Sequence, residues 1–71
     1  MNNNLHNMNM VNTYLENASY QLEHALNKMN KFANIDNVTL YNGKINNMKE
    51  SINNQMVIIK NNIIPQIKEM E

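Results

Sequence analysis

From Met8 onward, apolar residues return at steps of 3, 4, 3, 4, 3, 4 and 3: Met8, Val11, Leu15, Ala18, Leu22, Ala25, Met29 and Phe32. This spacing draws them into one stripe along an α-helix and is incompatible with the two-residue alternation of a strand. No glycine or proline interrupts the run. Read as heptads, it places Met, Leu, Leu and Met at a, and Val, Ala, Ala and Phe at d. Leu5 and Leu26 fall at e and widen the stripe, while Tyr14, Gln21 and Lys28 fall at g. The flanks therefore lack the opposed charges that specify simple dimers. Small alanines at d beside larger residues at a point to unlike partner helices rather than a symmetric zipper.

A second periodic stretch holds Val38, Tyr41, Ile45, Met48, Ile52, Met56, Ile59 and Ile63. The double step of four through Met48, Ile52 and Met56 is a stutter, which locally unwinds a supercoil. Between the two stretches, Asn34-Ile35-Asp36-Asn37-Val38-Thr39 gathers β-branched and Asx residues that compete with helical hydrogen bonding. Asp36 or Asn37 is suited to N-cap a second helix. A tight turn and a continuous helix with a stutter both fit this segment. Gly43 lies inside the second stretch and costs about 1 kcal/mol relative to alanine. Pro65 lacks an amide hydrogen and clashes with the preceding turn, so the second helix is expected to stop or kink there. Met56-Val57-Ile58-Ile59 form a face too wide for a two-stranded seam, which fits packing against more than one neighbour.

The expected fold class is all-α. Two long amphipathic helices, about 5–33 and 38–64, form a helical hairpin or an interrupted coiled coil that packs in a multi-chain bundle. A disordered Asn-rich N-terminus is expected over 1–7, and a helical interaction domain over 8–71. The expected partner-interface seam is Met8, Val11, Leu15, Ala18, Leu22, Ala25, Met29, Phe32, Tyr41, Ile45, Met48, Ile52, Met56, Ile59 and Ile63.

Composition says why partners are needed. Eighteen of the 71 residues are asparagine, each several tenths of a kcal/mol worse than alanine in a helix. Glu16, Glu23 and Glu50 have Tyr20, Asn27 and Asn54 four residues on, so no i,i+4 Glu–Lys pair offsets that penalty. Burial of the apolar seam must stabilise the helices instead. A chain this short rarely buries enough by itself and ordinarily relies on disulfides, metals or partners. It contains no cysteine. His6 and His24 lack carboxylates in register for a metal site. Other helical protein subunits remain, with a hetero-oligomer the favoured form.

Chemistry is not expected. His24 falls at c, on the outer surface, and Glu16 and Glu23 share position b without converging on it. There is no Gly-rich phosphate loop and no nucleophile motif. No catalytic residue, cofactor, metal or small-molecule substrate is therefore expected. Six lysines balance six acids, and the lysines are dispersed with no arginine to fork onto phosphate, so nucleic-acid binding is not expected. No apolar run approaches the length of a membrane span. From Met1-Asn2-Asn3-Asn4-Leu5, neither a secretory signal nor a myristoylation site is expected. The expected compartment is the cytoplasm.

Tyr20-Gln21-Leu22-Glu23 followed by Met29-Asn30-Lys31-Phe32-Ala33 resembles subunit 2 of the biogenesis of lysosome-related organelles complex 1. That family carries a Tyr-x-Leu-Leu-Glu-like segment, then Met-Asn-Lys-Leu, then a short break. Ile45-Asn46, Asn47-Met48-Lys49-Glu50, Ile52-Asn53-Asn54 and Gln66-Ile67-Lys68-Glu69-Met70-Glu71 are similar to its later segments. The resemblance covers about residues 20–71, with small gaps and an added pair of residues between Glu23 and Met29. It implies a scaffolding subunit lying as long helices in a hetero-oligomer peripheral to endosomal or lysosomal membranes, serving organelle biogenesis and vesicle trafficking. A small helical subunit of a cytoskeletal or kinetochore assembly shares the same size and heptads. So does a homo-oligomeric regulatory coiled coil.

Overall fold

The computed structural model describes residues 3–32 and 34–70. Met1, Asn2, Ala33 and Glu71 lie outside the described residues, with the parts of the expected segments that fall on them.

The chain is a helical hairpin. Helix α1 spans Asn4–Met29 and tightens into a 3-10 turn over Asn30–Phe32. Helix α2 spans Val38–Ile58, passes through a π-helical turn at Ile59–Ile63, and continues as α3 over Ile64–Met70. No strand occurs among the described residues. The rods pack side by side, α1 against both α2 and α3. Helix α1 begins at Asn4, inside the segment 1–7 expected to be disordered and close to the helix start expected near residue 5. Leu5 explains the early start: it is half-buried where α1 runs alongside α3.

The break at 34–39 resolves as a tight turn. Ile35 N–H donates to the Phe32 carbonyl at 2.9 Å and Val38 N–H to the Ile35 carbonyl at 3.3 Å. Asn37 stands at the N-cap but makes no side-chain capping bond. It contributes by its backbone instead, at φ 71°. Asparagine enters this left-handed region more readily than other residues with a side chain, apart from aspartate. Tyr41 N–H then donates to the Asn37 carbonyl at 3.1 Å and closes the first turn of α2.

The second rod does not stop at residue 64. Pro65 sits inside a helix that runs on to Met70. The π turn just before it removes the obstruction. Ile64 N–H donates to the Ile59 carbonyl, one residue further back than in an α-helix. The looser winding gives the proline ring room that an α-turn denies it. It also rotates the end of the rod, so that Ile63, Ile64 and Ile67 are all half-buried while Met70 is exposed.

The inner face of α1 comprises Leu5, Met8, Asn12, Leu15, Ser19, Leu22, Leu26 and Met29, all buried or half-buried. That of the second rod comprises Val38, Asn42, Ile45, Lys49, Ile52, Met56, Ile59 and Ile63. Both repeat by steps of three and four, so the expected stutter through Met48, Ile52 and Met56 is absent from the packed face. Asn42 and Lys49 occupy the places that apolar spacing assigned to Tyr41 and Met48. Lysine can do so because its aliphatic stem packs while its ammonium reaches outward.

Three residues, Leu26, Val38 and Ile59, are fully packed, each 8% exposed. No side chain is completely sealed from solvent among the described residues. The hairpin measures 54 × 16 × 10 Å with a radius of gyration of 16.3 Å, against about 11 Å for a compact chain of this length. Its accessible surface is 5563 Å², where a globular monomer of this mass would expose about 4,600 Å².

Candidate functional site

The two long sides of the hairpin differ in chemistry. One is bridged by polar side chains. Lys49 Nζ pairs with Glu23 Oε2, Ser19 Oγ donates to Asn53 Oδ1 at 3.0 Å, and Asn42 Nδ2 donates to Asn30 Oδ1 at 3.1 Å. Each bridge joins two residues equally far in sequence from Asp36, which fixes the antiparallel register about that residue. Glu16, Tyr20 and Met56 join Ser19, Glu23, Lys49 and Asn53 around a shallow groove on this side.

Helical geometry carries the d and g positions of α1 to the opposite flank, and Tyr41, Lys44, Met48, Ser51, Gln55 and Ile58 of α2, which flank its packed face, to the same side as them. In the antiparallel arrangement Val11, Tyr14, Ala18, Ala25 and Phe32 therefore share one long face with Tyr41, Met48 and Ile58. This face is uncovered, and its apolar residues alternate with the exposed polar side chains of Gln21, Lys28, Lys44, Ser51 and Gln55. Val11 is 41% exposed, Phe32 53%, Tyr41 52% and Met48 55%. Tyr14 and Ile58 are exposed as well, and Ala18 and Ala25 half-buried. Isolated exposed hydrophobics are ordinary, and Tyr20, Leu40 and Val57 are exposed away from this face, but six of them gathered on one flank of two rods favour an interaction surface.

The expected seam thus divides between two places. Met8, Leu15, Leu22, Met29, Ile45, Ile52, Met56, Ile59 and Ile63 line the contact between the two rods. Val11, Phe32, Tyr41 and Met48 look outward, with Ala18 and Ala25 between. Leu26, read as an e residue that widens the stripe, is among the best-packed side chains. Asn12, Ser19, Asn42 and Lys49 belong to the inner face and escape a search for apolar spacing because they are polar. The unbroken heptad steps of Leu5, Asn12, Ser19 and Leu26 carry the signal that finds them.

Polar chemistry is sparse. His24 is exposed on α1 and meets Tyr20 edge-to-face, ring centroids 4.4 Å apart. No group of three or more metal-ligating side chains occurs among the described residues. No helix is long and apolar enough to cross a membrane, again among the described residues. Comparison with models of known protein families, with curated proteins and with solved structures finds no match to this chain.

Proposed function

We propose that the chain is a non-enzymatic structural subunit that completes a helical bundle with other chains. The uncovered apolar flank, beside a core of only three packed residues among those described, carries this reading. A two-helix unit of such size has little stability to spare, and its exposed face is what a third or fourth helix would cover. The resemblance of residues 20–71 favours a hetero-oligomeric coiled-coil complex at endosomes or lysosomes as the assembly, with the subunit acting as a spacer and scaffold.

Two substitutions on α1 test the reading. Leu22→Asp places a charge in the contact between the rods and is expected to abolish assembly with partner chains, measured by co-purification. His24→Ala, two residues along and exposed, is expected to leave assembly unchanged. Equal assembly by both variants would refute a function that depends on this helical packing.

A further inference from the structure

The outward apolar face carries a charge pattern that describes what covers it. Between Val11 and Ile58 its charged residues are Lys28 and Lys44, both exposed, and no acid lies on it among the described residues. The acids Glu16, Glu23 and Glu50 project from the bridged side. Lys28 and Lys44 are equally far from Asp36, so the register of the bridges sets them at one level, near the turn. The Lys44 ammonium lies 5.7 Å from the centroid of the Tyr41 ring, which places that charge beside an aromatic of the same face.

A second copy of the chain answers this pattern poorly. Two copies laid face to face with their turns together would bring four lysines to one level. Laid with turns apart, each lysine pair would meet asparagine and aliphatic side chains, with no carboxylate opposite. The face nonetheless runs along the 54 Å length of the hairpin, long enough to receive a helix of several turns.

We propose that this face is a docking surface for an acidic amphipathic helix of a different chain, which lays an apolar stripe over Val11, Phe32, Tyr41, Met48 and Ile58 and sets carboxylates against Lys28 and Lys44. The inference rests on the hetero-oligomeric reading above and adds the chemistry of the partner. The lysines orient the incoming helix and exclude basic ones, while the apolar stripe supplies most of the attraction.

The test uses the full chain and two synthetic amphipathic helices with one leucine stripe, flanked by glutamate in the first and by lysine in the second. Binding is read by fluorescence anisotropy at low salt, and mass by sedimentation. The glutamate peptide is expected to bind about tenfold more tightly, as two exposed ion pairs and two relieved repulsions allow. The double variant K28E/K44E is expected to reverse the preference, and Met48→Glu to weaken both peptides. Equal binding of the two peptides, or a preference that K28E/K44E leaves unchanged, would overturn the acidic partner while leaving the interaction-subunit reading intact. A defined dimer dissociated by Met48→Glu would replace the foreign helix with a second copy. A monomer, helical by itself and bound by neither peptide, would remove both readings.

Discussion

Individual residues decide how much stability the hairpin holds in reserve. Asn12 lies on the inner face, and its Oδ1 is buried without a hydrogen-bond partner. An unsatisfied buried amide oxygen costs about 1–3 kcal/mol, and Asn42 Oδ1 on the facing rod is buried in the same state. Asn12→Leu is expected to raise the helicity of the isolated chain and its melting temperature, read by circular dichroism at fixed concentration. Gly43 offers a simpler gain. A methyl group added there meets no atom within 4 Å, and its backbone is ordinary helix. Gly43→Ala is therefore expected to stabilise the chain by about 1 kcal/mol, seen as a higher midpoint in a urea titration. These two positions show the reach of sequence reading at this scale. The cost of Gly43 is legible from residue type alone. The role of Asn12 is not, because an asparagine in a chain rich in asparagine draws no notice until its neighbours are known.

At the level of elements, both rods are legible in the spacing of their apolar residues, while the cluster of Asx and β-branched residues between them marks an interruption and leaves a turn and a stuttered helix both open. Their faces are harder to place. In α1 the a positions belong to two stripes at once, one paired with d and one with e. Spacing alone favours the d stripe because Val11, Ala18, Ala25 and Phe32 are apolar throughout. The e stripe, interrupted by Asn12 and Ser19, is the one that packs. At the end of the second rod the sequence leaves a stop and a kinked continuation both open. Pro65 signals a stop only if the helix keeps α geometry, and the π turn at Ile59–Ile63 supplies another. The turn yields its own prediction. Asn37 holds φ 71°, a conformation that β-branched side chains strongly resist. Asn37→Val is expected to cost about 1–2 kcal/mol and lower the melting midpoint, whereas Asn37→Gly is expected to be tolerated, both followed by circular dichroism.

The whole molecule is a layer two helices wide, with no described side chain fully sealed from solvent. Its ordering entropy is of the usual size per residue, yet the packed face offsets it along one line only. The isolated chain is accordingly expected to show weak helical circular dichroism at micromolar concentration and to gain helix as partners are added. A sharp high-temperature melt, independent of concentration, would contradict a need for partners. That expectation rests on the length of the chain and its two stripes and needs no fold to state. The sidedness does, because it arises only when the antiparallel register brings flanks of two separate helices to one side.

The placement of the polar bridges carries a consequence for how the molecule comes together. All three lie in the half of the hairpin nearer Asp36, joining residues 19–30 to residues 42–53. Loop closure is least costly there, so the rods are expected to close first at the bend and last at the free ends, which hydrogen exchange of the amides near Leu5 and Ile67 would check. The tips around Leu5 and Ile67 are then the natural place for an invading helix to gain a foothold and peel the two arms apart.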